Sequence, residues 1–372
     1  MSIWEILFIC LVGIVVIGFI LRRCFKAKSQ SVKIDSATDA RSQCFSSDDI
    51  QTMTEKFSSH NVIGQGSFAV VYKGISGGKD VAIKVLKPEK NPRDDKLFDS
   101  ELYINNHIRH KNVVDLLGYC CADNTFALVF GYMSNGNLYD HLHVGKMLSW
   151  ENRVKVANGV ARALDYLHHG CNPRVIHADI KSGNVSLDDM YEPRVADFGL
   201  AILRDKNAPP FYTTPRGTPG YIDPYFDGTL SEINDVYAYG ILLLEIVTGR
   251  EPSVVAAWAA PLLETAVKSG DFSGLADPSL LGSYDKGEMR TMLNVAAAYI
   301  SKDFLHRPTM EKVLNKLELQ RRSFRSSRIK FFQRTRSSTI RELEKVAFSS
   351  ESTPSANAGS VMMSALGGSK GH

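Results

Sequence analysis

The sequence predicts an α+β protein of two lobes, a small β-rich lobe carrying one helix and a larger, mainly helical lobe, behind a single apolar helix at the N-terminus. Three observations predict it: short β-type runs crowd residues 62–130, helical periodicity takes over after Ser149, and residues 3–21 form an apolar run with one charge. With 372 residues, 44 % hydrophobic and 23 % charged, the chain can bury one large core or two modest ones. Its 44 basic and 40 acidic residues leave a net charge of +4, which excludes wholesale disorder and gives no reason to expect nucleic-acid binding. The six cysteines have neither the density of a disulfide scaffold nor the paired C-x-x-C spacing of a zinc site, so the bulk of the chain reads as belonging to a reducing compartment.

The apolar run Ile3 to Leu21 (IWEILFICLVGIVVIGFIL) is charged only at Glu5. As a helix it reaches about 28 Å, close to the ~30 Å hydrocarbon core of a bilayer. A secretory signal would show a basic start, a shorter apolar stretch and a small-residue cleavage site, and none is present. Arg22, Arg23, Lys26 and Lys28 follow at once, which places the body on the cytosolic side. Residues 1–2 are then an external stub, 3–21 a single transmembrane helix and 22–56 a juxtamembrane tether. With no ectodomain in that arrangement, an external signal enters through a co-receptor or another kinase in the same membrane. Cys24 is a candidate palmitoylation site or an unmodified thiol.

Within 29–56 the composition is Ser, Thr, Asp and Gln rich, ending in a short helical stretch near Ser47 to Phe57. The globular body is expected from Phe57. Val62-Ile63, Val70 to Tyr72 and Val81 to Val85 read as three antiparallel strands, the last two joined through Gly77-Gly78-Lys79-Asp80. Pro88 and Pro92 are read as breaks. Phe98, Leu102, Ile104 and Ile108 then recur at near-helical spacing before two further β-type runs at Val113 to Leu117 and Phe126 to Phe130.

In the second lobe, Ser149 is a plausible N-cap for a helix whose apolar stripe (Val154, Ala157, Val160, Ala161, Leu164, Leu167) stops at Gly170. Asp235 to Thr248 (DVYAYGILLLEIVT) is apolar on nearly every face, so it is expected as a helix buried at the centre of that lobe. Beyond Gln320 an Arg/Ser tract with seven basic residues between Arg321 and Arg336 precedes a Gly/Ser/Ala tail. It reads as a solvated tail, with binding to anionic lipid as the alternative.

Chemistry concentrates in three places. Gly64-x-Gly66 stands between two short strands, where a backbone without side chains can lie close over phosphates. Lys84 is a charge in an apolar strand and needs a partner, for which Glu101 on the following helix is the candidate. The stretch His177-Ala178-Asp179-Ile180-Lys181-Ser182-Gly183-Asn184, followed by Asp197-Phe198-Gly199, brings together a candidate base, a cation for phosphate and two oxygen ligands for Mg²⁺.

Taken in order, these elements resemble the protein-kinase fold over residues 57–320. The strings VIGQGSFAVVYKG, VAIKVL, IRHKNVVDLLGYC, VIHADIKSGNV, VADFGLA, GTPGYIDP, NDVYAYGILLLEIVTGR and HRPTM are most similar to plant receptor-like serine/threonine kinases. The resemblance implies ATP and Mg²⁺ as cosubstrate and cofactor and protein Ser/Thr hydroxyls as acceptors. It implies that Ile63, Gly64, Gly66, Ala69, Val71 and Ala82 surround the nucleotide, and that Lys84, steadied by Glu101, holds its α/β-phosphates. By the same resemblance Asn184 and Asp197 carry the metal, Asp179 accepts the hydroxyl proton and Lys181 meets the γ-phosphate. Thr213, Thr214 and Thr218 fall in the activation segment.

Several positions depart from the family pattern. Ala178 stands where many kinases have the arginine that reads a phosphorylated activation loop, which implies a non-RD type. Ala69 replaces a third loop glycine, and Tyr225 stands where a glutamate usually pairs with the arginine that is Arg307 here. Ser186 and Asn105 occupy positions normally apolar, beneath the adenine and along the helix of Glu101. The alternative to an active kinase is therefore a pseudokinase scaffold that binds and regulates partner receptor kinases; a small-molecule phosphotransferase of related fold is a third reading.

Overall fold

The computed structural model describes residues 42–317, apart from 67, 88–91 and 206, together with the backbone but not the side chains of 92–97. The expected transmembrane helix, most of the tether and the basic tail lie outside the described residues. Among the described residues no helix is long and apolar enough to cross a membrane.

The small lobe is a six-stranded sheet in the order β1-β5-β6-β4-β3-β2, built from β1 (Gln43–Cys44), β2 (Val62–Gln65), β3 (Ala69–Ser76), β4 (Lys79–Leu86), β5 (Leu116–Ala122) and β6 (Thr125–Gly131). The expected antiparallel trio is β2, β3 and β4, and Gly77 and Gly78 form its second turn with positive φ. Side chains alternate across the sheet. Val81 and Ile83 are buried on one face, which leaves Ala82 and Lys84 on the other, toward the cleft.

Two elements cover this sheet. Helix α2 (Pro92–His107) lies on one side, with Phe98 packed against Leu116 and Leu128. It begins at Pro92, whose missing N–H costs nothing in a first helical turn, so that proline opens the helix instead of breaking the chain. The opposite face, comprising Val81, Ile83, Cys120, Ala127 and Val129, is covered by Phe45 and Ile50 with Met53 and Phe57 alongside. Those residues belong to β1 and α1 (Ser47–Met53) and the chain just after them. The helix begins with a capping box between Ser46 and Asp49 and ends four residues short of the expected Phe57. Residues of the expected tether within 42–56 thus pack onto the sheet of the small lobe.

The large lobe is organised around α5 (Glu232–Thr248), which is buried over almost its whole length and ends at Gly249. Around it, in chain order, stand α3 (Leu138–His143), α4 (Trp150–Asp165, capped by Ser149 and continued by a wider turn over Tyr166–Gly170), α6 (Pro252–Ser269), α7 (Lys286–Tyr299) and a helical segment at residues 310–317. One continuous apolar cluster joins these helices. Short strand pairs line the lobe's cleft side: β7 (Arg174–Ile176) with β10 (Ile202–Arg204), β8 (Val185–Leu187) with β9 (Pro193–Val195), and β11 (Phe211–Tyr212) with β12 (Thr229–Leu230).

Candidate active site

Strand β4 carries Lys84 into the cleft, and α2 carries Glu101 toward it from behind. Lys84 Nζ donates to both Glu101 oxygens, at 2.8 and 2.9 Å, and to Asp197 Oδ1 at 2.8 Å. One ammonium therefore ties the sheet, the helix and the large lobe together. Burial works against that charge, yet the two carboxylates outweigh it and hold Lys84 above its ordinary range. Glu101 is the more enclosed acid, and burial pushes it up against the pull of Lys84. Asp197, 44 % exposed at its side chain, is held below the usual carboxylate range because Lys84 outweighs its own desolvation.

The second cluster sits on the loop between β7 and β8. Three donors converge on the Asp179 carboxylate: Lys181 Nζ at 2.8 Å, Asn184 Nδ2 at 3.0 Å and Thr218 Oγ1 at 2.7 Å. Lys181 also donates to Thr218 Oγ1 at 2.7 Å, so the activation segment is joined to the loop. Gly217 permits that approach, since a Cβ there would lie 2.9 Å from the Ala178 carbonyl and its φ of +110° disfavours any other residue.

What holds the loop is a carboxylate from the centre of the lobe. Asp235, 1 % exposed on α5, accepts from the backbone N–H groups of His177 and Ala178 at 2.8 Å each, and it pairs with His168 Nε2 at 2.9 Å. Ala178 itself has a φ of +63°, a conformation these two bonds fix. A second buried acid of α5, Glu245, takes the Ser182 hydroxyl at 2.6 Å and also the Tyr221 hydroxyl. Sequence reading missed both roles. The signal was present, because Asp235 and Glu245 are the only two charges in an otherwise apolar helical run.

The remaining predicted positions fall around the mouth of the cleft. Gly64 is registered with Val71, and Val71 with Lys84, so the glycine turn, Val71 and the lysine stand side by side. Ile63 is 47 % exposed next to that turn, and Ala69 is buried. Around Gly66 an added Cβ would meet only the Ala69 carbonyl, at 3.8 Å, which leaves open space over the turn.

The donor set suits a magnesium nucleotide. Asn184 spends its amide N–H groups on the Asp179 carbonyl and carboxylate, which leaves its oxygen as the atom for a hard cation, and the exposed Asp197 carboxylate supplies another. Two protein oxygens are few, but Mg²⁺ is commonly held by one or two carboxylate-type ligands with water and phosphate completing the shell.

The protein kinase domain profile matches residues 57–317. The chain belongs to the protein kinase family. Similar proteins include three proline-rich receptor-like protein kinases of Arabidopsis thaliana. PERK13 is 40 % identical over 300 residues, covering 76 % of this chain and 42 % of the relative. PERK8 is 38 % identical over 330 residues, covering 82 % and 48 %, and PERK3 is 37 % identical over 326 residues, covering 82 % and 63 %. The chain thus spans less than two thirds of the length of these relatives, and its kinase domain is similar to those of plant receptor-like protein kinases.

Two of the kinase domain's departures acquire a physical account. Arg307, which lacks its expected glutamate at Tyr225, pairs instead with both oxygens of Asp223, donates to the Ser301 carbonyl at 2.8 Å and lies 5.0 Å from the Tyr237 ring centre. The buried cation is therefore neutralised from two residues earlier in the same segment, while its Nε is buried without a partner. Asn105, 1 % exposed, donates Nδ2 to the Glu101 carbonyl at 2.8 Å, while its Oδ1 is buried without a partner. Ser186 stays half-buried beside the cleft, bridged to Asn137.

Proposed function

We propose that the protein transfers the γ-phosphate of ATP to serine and threonine hydroxyls of protein substrates, as a membrane-anchored receptor-like kinase of the non-RD type. The observation that carries this reading is the Lys84 ammonium bridging Glu101 and Asp197, on the same cleft as the Asp179 cluster. In this reading Lys84 orients the α/β-phosphates and Glu101 keeps the lysine in place. The glycine turn at Gly64 and Gly66 covers the phosphates, with Ile63, Ala69, Val71 and Ala82 around the base. Asn184 and Asp197 would hold Mg²⁺, which when bound supplies neutralisation of phosphate charge. Asp179 receives the hydroxyl proton, and Lys181, already next to that carboxylate, screens the negative charge that gathers on the transferred group. Ala178 presents no cation to the activation segment, which supports control by means other than an arginine reading a loop phosphate.

Membrane attachment rests on the apolar run 3–21 and the basic residues after it. The tether then hands incoming signals from a co-receptor or neighbouring kinase to the body. Deleting residues 1–28 should move the chain from the membrane pellet to the supernatant after alkaline washing; persistence in the pellet would refute the anchor.

The activity is tested with the full chain in nanodiscs, radiolabelled Mg·ATP and a generic basic protein, beside Lys84→Met and Asp197→Asn. Transfer by the parent protein and a loss of at least about 100-fold in both variants is expected from removing groups that act on phosphate. A parent protein no more active than the variants, while folding cooperatively, would favour the scaffold reading.

A further inference from the structure

The segment that covers the outer face of the sheet also reaches the helix that bears Glu101. Ser42, 5 % exposed, donates its hydroxyl to Asn106 Oδ1 at 2.6 Å. Asn106 is in the last turn of α2, five residues beyond Glu101. The same turn is moored to the large lobe, since Arg109 donates from its side chain to the Asn105 carbonyl at 2.9 Å and from its backbone N–H to the Tyr166 hydroxyl at 3.0 Å.

The placement of Ser42 is built into the sheet. At Gly118 a Cβ would stand 2.4 Å from the Gln43 carbonyl and from the Phe45 ring, and at Gly74 one would stand 2.6 Å from the Met53 carbonyl. Two strands thus have their side chains removed where the two ends of residues 43–53 cross them. On the buried face of α2, Phe98 and Ile104 pack into apolar clusters. Asn105 puts a polar amide with an orphaned oxygen where an apolar side chain would pack, so its end contacts have more to hold.

We propose that Ser42 is a positioning residue for the kinase reaction: its hydrogen bond to Asn106 hooks the last turn of α2 to the juxtamembrane segment and keeps Glu101 within reach of Lys84. The chain arriving from the tether is then mechanically continuous with the catalytic ion pair. This inference rests on the kinase reading, but its test has a readout that does not need activity.

With the full chain in nanodiscs, Ser42→Ala lowers the fraction of molecules whose helix is in place. If only those bind nucleotide productively, the KM for ATP rises about threefold to tenfold while kcat at saturating ATP stays within about twofold. Amide exchange in residues 101–107 should accelerate by a similar factor. Ser42→Thr, which keeps the hydroxyl, should restore both, and adding Asn106→Leu to Ser42→Ala should have no further effect. Ser47→Ala is the control, because Ser47 bonds Thr125 at 2.9 Å and so ties the same segment to the sheet without touching α2. The proposal is overturned if Ser47→Ala gives the same rise in KM and exchange, or if Ser42→Ala leaves exchange in 101–107 unchanged. Should even the parent protein transfer no phosphate, the kinase reading fails and the exchange comparison still decides whether the hook holds the helix.

Discussion

The two halves of the active site are held in opposite ways. Asp179, Lys181 and Asn184 sit on a loop whose backbone is gripped by Asp235, a fully enclosed carboxylate on the most buried helix of the large lobe. Lys84 and Glu101 belong to a small lobe with two thin cores, one on each face of a single sheet. Their link to the large lobe at the site is an ion pair across the cleft, from Lys84 to the half-exposed Asp197. The first half is held from the centre of the large lobe; the second depends on packing of α2 and on the contacts at its end. Damage to the first should therefore remove chemistry and stability together, and changes in the second should move nucleotide affinity with little loss of fold.

Asp235→Ala gives the largest expected effect. It strands the N–H groups of His177 and Ala178 and leaves His168 without its acid, so a cost of about 3–5 kcal/mol is expected from breaking a buried charged network. Urea unfolding should show an earlier transition and phosphate transfer should vanish even at saturating ATP. A variant with parent-like stability and a rise in the KM for ATP alone would put both halves of the site in one class.

Asn105→Leu probes the other half, with a smaller effect of opposite sign. Removing a buried amide whose oxygen has no partner and filling its place with an apolar side chain should stabilise the protein by about 1 kcal/mol and lower the KM for ATP. Leucine differs in shape from the amide, so thermal unfolding and ATP titration are both needed. A fall in stability together with weaker ATP binding would show that the amide is a required part of the helix seat.

The same contrast explains what was legible in the sequence. Lys84, Glu101, Asp179, Lys181, Asn184 and Asp197 announce themselves because charges and glycines in strands and tight loops are costly without a purpose, and all six converge on the one cleft. The supports of those residues were harder to see. Asp235 lies 57 residues from Ala178 along the chain, and nothing local relates the two. Segment 42–57 looks like a tether because it has few apolar side chains, Phe45 and Ile50 buried with Met53 and Phe57 alongside, set among mostly polar residues; only the small-residue gaps at Gly74 and Gly118 mark its path. Arg307 found its acid at Asp223 by a shift of two residues that pairwise motif reading does not anticipate.

A last effect, smaller than these, concerns the outer support of the catalytic loop. Glu245, fully buried, receives Ser182 and Tyr221 from the catalytic side and His143 of α3 at 2.8 Å from the other, with Glu251 3.7 Å from the same imidazole. The hydrogen bond to Glu245, reinforced by the charges of Glu245, Glu251 and Asp277 against a desolvation cost, raises the His143 pKa above its ordinary value. A histidine whose folded pKa is raised contributes its full stabilisation below the unfolded value of about 6.5, and that contribution is lost as the pH climbs through the folded pKa. The stability advantage of the parent protein over His143→Gln should therefore be greatest near pH 6 and shrink by about pH 8.5, read from paired urea midpoints. An advantage constant across that range would mean that the imidazole serves Glu245 only as a neutral hydrogen-bond donor, and the loop's outer support would then carry no charge dependence.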